Sequence, residues 1–259
     1  MFDLDAYLLG GACIFAALSL AWVISLWRRD ASVADPTWPL TFLFAAVAYA
    51  FASTAPQGPR TMLMLALVTL WSLRLGGYLL WRNVKENEED RRYRAMRAKA
   101  GPAFWWRSLI TVFWLQAALA WVVSLPLLAG ADGGPPLGWL DWLGVTLWVV
   151  GMIFEAGGDW QLARFKAAPA NQSKVLDSGL WRYTRHPNYF GDFCVWWGFF
   201  ALAAAAGGWW SLPAPLLMSV LLLKVSGVTL LESDIADRRS EYAAYKQRTN
   251  AFFPGLPKS

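Results

Sequence analysis

The densest group of polar residues that could do chemistry lies in residues 182–192, around a proline that opens an apolar run. Pro187 suits the first turn of a helix because its missing N–H would have no partner there. A helix N-terminus carries partial positive charge and free N–H groups. Arg182, Arg185 and His186 come just before this one and add donors and positive charge. The combination predicts a site for a phosphate or pyrophosphate group.

Asn188 and Asp192 follow four residues apart, so we expect them on one helix face, one turn deeper than the anion site. Each polar residue of this stretch also has a structural explanation when taken alone. Asp192 would compensate the dipole of a first helical turn, and His186 would be a capping or interfacial residue. Their occurrence together in one run favours a binding site.

Two more groups of polar residues lie in or beside apolar runs, one around Glu155 and one around Arg74. Because an ionisable side chain is costly in lipid, such a residue usually indicates a functional site. Glu155 and Asp159 share a helical stripe with Lys166, and two carboxylates there need hydrogen-bond donors. A nucleotide, another span or Arg74 could supply those donors. Arg74 itself shares a face with Tyr78, and its structural alternative is snorkelling or pairing with a buried carboxylate.

Asp35 stands directly before Pro36 at the start of another apolar run. This placement is typical of an ordinary helix N-cap. The mixed-charge segment of residues 86–93 is typical of a solvated juxtamembrane helix or loop. Neither feature by itself predicts chemistry.

The elements that must position these residues are membrane-spanning helices. Of 259 residues, 57% are hydrophobic and 16% charged, with a mean hydropathy of +0.34. A soluble domain has about a quarter charged residues, so the composition predicts a membrane protein and excludes disordered, collagen-like and disulfide-scaffold classes. Two cysteines in apolar runs and a single histidine give no basis for a metal site.

Seven apolar runs approach the roughly 20 helical residues that cross a hydrocarbon core of about 30 Å. Only helices and closed barrels satisfy backbone groups in lipid, and runs this long predict helices. No cleavable leader precedes the first run, which we therefore expect to be retained. The predicted spans are Tyr7–Trp27, Trp38–Ala55, Met62–Trp81, Leu109–Leu128, Leu137–Gly157, Tyr189–Ala206 and Trp209–Leu231.

Charge orients these spans. The loops after spans one, three and five, together with the C-terminal tail, contain 20 of the 23 Lys and Arg residues. The positive-inside rule then places the N-terminus outside and the C-terminus in the cytosol. The prediction is an all-α integral membrane protein with seven transmembrane helices, forming a single membrane domain over residues 1–259. Orientation and attraction to anionic membrane lipid explain the basic loops, and no nucleic-acid module fits between the spans.

Residues 179–192, Gly-Leu-Trp-Arg-Tyr-Thr-Arg-His-Pro-Asn-Tyr-Phe-Gly-Asp, followed by Trp196-Trp197-Gly198, resemble the steroid 5α-reductase family, especially its bacterial members. The same run is similar to that of the sterol Δ14-reductases, which Arg185 and His186 match better than they match the animal 5α-reductases. Further similar segments follow the family order over nearly the whole chain. They are residues 33–38, 71–78, 89–94, 154–166 and 231–232, with Tyr242, Tyr245, Thr249 and Pro254.

This resemblance implies NADPH-dependent reduction of the carbon–carbon double bond of a 3-oxo-Δ4-steroid or similar lipophilic enone, with hydride transfer to the β-carbon. It also implies a cytosol-facing cofactor cavity. Residues of about 1–130 would form the substrate-side helices one to four, and about 131–259 the cofactor-binding helices five to seven and the tail. From the resemblance and the residue patterns together we predict a cofactor-binding set of Arg74, Glu155, Asp159, Lys166, Lys174, Arg182, Tyr183, Arg185, His186, Asn188 and Asp192.

Catalysis also needs a donor for the ketone oxygen, where negative charge grows during hydride transfer. The family uses an acid near the start of span two, and Asp35 is the nearest match. The family tyrosine of span three falls on Trp71, whose indole N–H donates a hydrogen bond but does not protonate. We therefore predict Asp35 as the acid or the orienting group, Tyr78 as the substitute donor, and Trp38 and Trp71 as substrate-binding residues.

Two other functions fit parts of the pattern. Membrane methyltransferases of the isoprenylcysteine carboxyl type use S-adenosylmethionine and share the Arg-His-Pro-x-Tyr run and a C-terminal glutamate. Asn188 with Asp192, Asp159 and seven spans favour the reductase. A transporter or a non-enzymatic lipid- or sterol-binding protein is the second alternative, against which no internal repeat is visible. The expected location is the bacterial inner membrane, or the endoplasmic reticulum in a eukaryote, with the site facing the cytosol.

Overall fold

The computed structural model describes residues 2–53, 57–131, 136–171, 174–225 and 241–258. The structure is all-α: 83% helical, with no strand in the ranges just given. The helices form two compact units. The first comprises Met1–Gly138 and Leu202–Ser211, and the second Trp139–Ala201 and Leu212–Ser259.

The helices of the first unit follow the predicted order of spans one to four. A π-helix, Leu109–Trp114, interrupts the longest run and joins α5 to α6. The helices are α1 (Leu4–Arg28), α2 (Ala34–Ala52), α3 (Pro59–Glu86), α4 (Arg91–Ala100), α5 (Phe104–Ser108), α6 (Leu115–Val123) and α7 (Leu125–Ala131).

The second unit contains one long helix, two shorter apolar ones and a short helix in the tail. They are α8 (Trp139–Ala167), most of α9 (Pro187–Ala205), α10 (Pro213–Val220) with a π-helical continuation at Leu221–Val225, and α11 (Tyr242–Arg248). A 3₁₀ turn at Gly179–Arg182 precedes α9.

Four helices of the described ranges are long and apolar enough to cross a membrane: Leu4–Arg28, Pro59–Glu86, Arg91–Val123 and Trp139–Ala167. This confirms the prediction of a membrane-embedded all-α protein. α2 and α9, of 19 residues each, correspond to predicted spans two and six and are not among the four. Predicted span seven corresponds to a shorter apolar helix, Trp209–Lys224, and its last residues, 226–231, lie outside the described residues. The count of seven and the orientation stay predictions.

Local signals start several helices, but Asp35 does not cap α2 as its placement suggests: the helix begins at Ala34, and Asp35 lies in its first turn. The Asp3 carboxylate accepts the N–H of Ala6 at 2.9 Å and caps α1, and Asp90 caps α4 in the same way. Pro59 opens α3, and Pro187 opens α9 as predicted.

Small residues set the packing of the first unit. A Cβ atom on Gly10 of α1 would lie 2.0 Å from the ring of Tyr49 on α2, and one on Gly11 would lie 2.6 Å from the indole of Trp121. The Tyr49 hydroxyl shares a 2.6 Å hydrogen bond with the Ser124 hydroxyl. Aromatic rings therefore occupy the grooves that the glycines leave open.

Glycines also bring α8 and α9 together in the second unit. A Cβ on Gly151 of α8 would lie 2.6 Å from the carbonyl oxygen of Gly191 on α9. A Cβ on Gly198, seven residues further along α9, would lie 2.7 Å from the carbonyl oxygen of Gly144, seven residues earlier on α8. Two antiparallel backbones can approach this closely only over small residues.

We expect Gly191→Ala to destabilise the protein by about 1–3 kcal/mol, because overpacking a fixed contact forces backbone shifts. The added Cβ would lie 2.4 Å from the Glu155 backbone nitrogen and 2.5 Å from the Gly151 oxygen. Thermal unfolding in detergent measures the effect. Gly77→Ala is the matched control, since nothing lies within 4 Å of its added Cβ and alanine favours a helix. Equal melting of the two variants would contradict the close contact between α8 and α9.

Candidate functional site

Asp35, in the first turn of α2, is the centre of a hydrogen-bonded cluster in the first unit. The Tyr93 hydroxyl donates to Asp35 Oδ1 at 2.6 Å, and Arg92 Nη2 donates to Oδ2 at 2.8 Å. Arg82 Nη2 lies 3.5 Å from the same Oδ2. An ionised carboxylate only accepts hydrogen bonds, whereas a tyrosine hydroxyl donates one. Within this cluster, therefore, Asp35 accepts hydrogen bonds and Tyr93 donates one.

The turn between α3 and α4 brings Tyr93 to Asp35. Asp90 donates its backbone N–H to the Ser32 hydroxyl at 2.7 Å. Glu89 accepts the N–H of Ala31 at 2.8 Å and the guanidinium of Arg97 at 2.7 Å. These contacts join the turn before α2 to the turn before α4, so the first residues of the two helices meet.

Gln116 extends the cluster. Its Nε2 donates to the Tyr93 hydroxyl oxygen at 3.2 Å, and Tyr93 is 5% exposed. Gln116 follows the π-helix Leu109–Trp114, and a π turn shifts the helical position of every residue after it. Neither Tyr93 nor Gln116 is among the predicted site residues. Residues 86–93 have the composition of a solvated segment, and Gln116 lies within predicted span four. Two signals pointed to Tyr93: residues 89–94 are among the segments that resemble the family, and Tyr93 is the only aromatic residue in the charged run 85–97.

Asp90, between α3 and α4, contributes a pH-dependent part of this structure. Partial burial acts to raise the pKa of Asp90, but the hydrogen bonds and charge of Arg92, with the charge of Arg82, outweigh it and lower that pKa. A depressed carboxyl pKa stabilises the fold above the ordinary aspartate value, about 4. That stabilisation is lost as the pH falls through the lower folded value.

We accordingly expect Asp90→Asn to melt at a lower temperature than the wild type near neutral pH. The difference should shrink as the pH falls below about 4, where the wild-type carboxyl also becomes neutral. Thermal unfolding across a pH series measures it. A difference that stayed constant down to the acid limit would contradict a stabilising contribution from the charge of Asp90.

The other residues predicted in the first unit lie on α2 and α3. Trp71 is fully buried and packs edge-on against Phe42 at 5.7 Å, and Trp38 packs on the same ring at 4.9 Å. Arg74 is half-buried, and so is Tyr78, whose ring lies 5.9 Å from that of Trp81. Their predicted roles in cofactor, catalysis and substrate binding stay predictions.

In the second unit, the predicted carboxylates and amide meet where α9 begins against α8. Asn188 Nδ2 donates to Asp159 Oδ1 at 3.2 Å. A Cβ on Gly158 would lie 3.1 Å from the Asn188 backbone nitrogen, so this glycine allows the approach. Glu155 is 2% exposed, Asp159 6% and Asp192 8%. The structure thus joins Asp159 and Asn188, which are 29 residues apart in the chain, and buries two more carboxylates on the same pair of helices.

Arg185 and His186 are buried beneath the C-terminal tail of this unit. Arg185 Nη1 donates to the carbonyl oxygen of Thr249 at 2.5 Å, and its backbone N–H donates to that of Asn250 at 2.9 Å. The Thr184 hydroxyl donates to the Phe252 carbonyl at 2.7 Å. Basic side chains commonly satisfy the last carbonyls of a helix in this way. The geometry gives Arg185 a part in fastening the tail, and its contact with a cofactor stays a prediction.

The remaining predicted cofactor residues are at the surface. Lys166, Lys174, Arg182 and Tyr183 are exposed, and Arg182 lines a cavity of about 350 Å³ next to the tail. The C-terminal glutamate shared with the methyltransferases, Glu232, lies outside the described residues.

Comparison with known proteins gives two matches. A model of the family described as Protein of unknown function (DUF1295) matches residues 21–249. A Schizosaccharomyces pombe protein named Uncharacterized protein C594.04c is 26% identical over 293 aligned residues, which cover 100% of this chain and 82% of that protein. No solved structure matches the chain.

Proposed function

The chain belongs to the DUF1295 family of membrane proteins, which includes steroid 5α-reductase-like proteins, and from this premise we propose that it reduces the carbon–carbon double bond of a lipophilic enone with NADPH. A 3-oxo-Δ4-steroid is the model substrate. The observation that carries the proposal is the tyrosine hydroxyl held 2.6 Å from a largely buried carboxylate. Enone reduction needs such a donor at the ketone oxygen, whereas methyl transfer to a carboxylate needs none.

The residues of the second unit fit the cofactor. NADPH, when bound, supplies the hydride for the β-carbon. Asn188 and Asp159 offer a donor and acceptors to amide and hydroxyl groups, and Asp192 lies one turn further along α9. Lys166, Lys174 and Arg182 add positive charge for the phosphates.

The residues of the first unit fit the protonation step. We assign the donor to Tyr93, in place of Tyr78, because Tyr93 is the tyrosine whose hydroxyl reaches Asp35. As hydride addition to the β-carbon turns the enone into an enolate, the Tyr93 O–H turns from Asp35 to the enolate oxygen and donates to it. A proton from water then adds to the α-carbon and gives the saturated ketone. Arg92 keeps its 2.8 Å contact with Asp35, and Gln116 keeps its donation to the phenol oxygen. Asp35 is then the group that orients the donor.

The proposal includes seven transmembrane helices, with the N-terminus outside and the C-terminus in the cytosol. Two features support it: the length of the four apolar helices and the distribution of basic residues, 20 of 23 in the segments assigned to one side. The basic loops then face the cytosol, where NADPH is available.

A binding and turnover assay tests this function. Purified protein in detergent is mixed with NADPH and a panel of enones, including progesterone and testosterone, and the loss of NADPH and the saturated product are measured. Thermal unfolding is compared with NADPH, with S-adenosylmethionine and without ligand. We expect stabilisation by NADPH alone and enone-dependent oxidation. Stabilisation by S-adenosylmethionine alone would establish a methyltransferase, and no turnover with any enone would favour a lipid-binding protein.

A further inference from the structure

The cavity beside the C-terminal tail has two walls of different origin. One wall is the turn that leads to α9, including Asp177 and Arg182, and the other is α11 with the residues after it, including Tyr245 and Arg248. We call this space the tail cavity. Its volume, about 350 Å³, lies at the lower end of the range for small-molecule sites.

The turn that carries Arg182 is firmly positioned. Gly179 adopts a φ of +61°, which places its backbone against the Gln161 side chain, and Gln161 Oε1 accepts the Leu180 N–H at 3.0 Å. Trp181 donates its indole N–H to the Gly158 carbonyl at 3.1 Å. A guanidinium on such a turn is presented to the cavity by a preorganised backbone.

The two arginine side chains that line the tail cavity make few hydrogen bonds or ion pairs with the described residues. Arg248 Nη2 contacts Asp177 Oδ2 at 3.5 Å, the outer limit of a hydrogen bond, and both side chains are more than half exposed. The Arg182 guanidinium makes no hydrogen bond or ion pair with any residue of the described ranges. Two arginines that line one small cavity without strong partners match a doubly charged oxyanion, which each can bind through paired N–H groups.

We propose that the tail cavity binds a phosphomonoester through Arg182 and Arg248, and that, given the proposed function, this group is the 2′-phosphate that distinguishes NADPH from NADH. The volume accommodates a phosphate with part of the ribose and base that carry it. Asp177 is placed to accept a hydrogen bond from a ribose hydroxyl or the adenine amino group. The C-terminal tail is then part of the cofactor site and sets its preference for the phosphorylated dinucleotide.

The experiment compares Arg182→Gln, Arg248→Gln and the double variant with Lys258→Gln, which removes a positive charge from the same tail outside the cavity. The full-length protein in detergent is titrated with 2′,5′-ADP and 5′-ADP, and KM is measured for NADPH and NADH. We expect each arginine variant to weaken binding of 2′,5′-ADP, and to raise KM for NADPH, by about tenfold. In Arg248→Gln, binding of 5′-ADP and KM for NADH should stay unchanged, and Lys258→Gln should match the wild type.

A third titration, with nanodiscs that contain phosphatidic acid, separates this proposal from the proposed function. If no dinucleotide is oxidised but the arginine variants lose binding of phosphatidic acid, the phosphomonoester site stands and the reductase proposal fails. If NADPH is oxidised and the variants weaken NADPH and NADH equally, the reductase stands and the phosphate assignment is overturned. Unchanged binding of all probes in the double variant also overturns it.

Discussion

Asn188→Ala is expected to weaken NADPH binding by about 10- to 100-fold and to reduce turnover to near background at ordinary cofactor concentrations. The substitution removes the side-chain amide of Asn188. This amide lies at the start of α9 and donates to Asp159 at 3.2 Å. A hydrogen bond to a charged group contributes about 1.5–3 kcal/mol, which corresponds to that range of affinity. We expect Asp192→Ala, one turn further along α9, to have the same effect, with expression intact in both variants. The dissociation constant of NADPH and the yield of folded protein are the measurements.

A matched control comes from the same unit. Asn171→Ala removes a side-chain amide that donates to the Phe165 carbonyl near the end of α8, so NADPH binding should not change. Asp192→Asn keeps the size of the side chain and removes its charge. If Asn188→Ala and Asp192→Ala both bind NADPH like the wild type, neither residue belongs to the cofactor site.

Tyr93→Phe is expected to lower turnover by about 100- to 10,000-fold, the usual contribution of a positioned proton donor, and to leave the dissociation constant of NADPH unchanged. The ring and its buried packing remain, and Asp35 keeps Arg92 at 2.8 Å, so the clusters at the starts of α2 and α4 should persist. Asp35→Asn should also slow turnover more than it weakens cofactor binding, because it removes the acceptor that orients the Tyr93 hydroxyl. Single-turnover rates at saturating NADPH separate the chemical step from binding.

Tyr78→Phe tests the other candidate donor, since it makes the same chemical change on α3. We expect a smaller loss of turnover than in Tyr93→Phe. A large loss in Tyr78→Phe with normal turnover in Tyr93→Phe would return the donor role to Tyr78. Thermal unfolding of both variants shows whether the Tyr93 hydroxyl is needed only for the fold. In that case Tyr93→Phe lowers the unfolding temperature, and the turnover rate per folded molecule stays the same.

Much of this architecture could be predicted from local patterns. Long apolar runs specify membrane helices because lipid offers no partner for an exposed backbone N–H or carbonyl. Pro187 marks the start of α9 because proline lacks the N–H that a helix interior needs, and the four-residue spacing of Asn188 and Asp192 places them on one face. All of these features depend on neighbours within a few residues.

The tertiary structure alone decided which side chains face each other across long separations. Asp35 and Tyr93 are 58 residues apart, and Gln116 reaches Tyr93 only after the π-helix has shifted its helical position. Arg185 has the composition of an anion ligand, yet its side chain donates to carbonyl groups of the tail, 64 residues further along the chain. A sequence shows the charge and hydrogen-bonding capacity of a side chain, but its partner is determined by how the helices pack. That packing depends on the shapes of many side chains together and leaves no local periodicity to read.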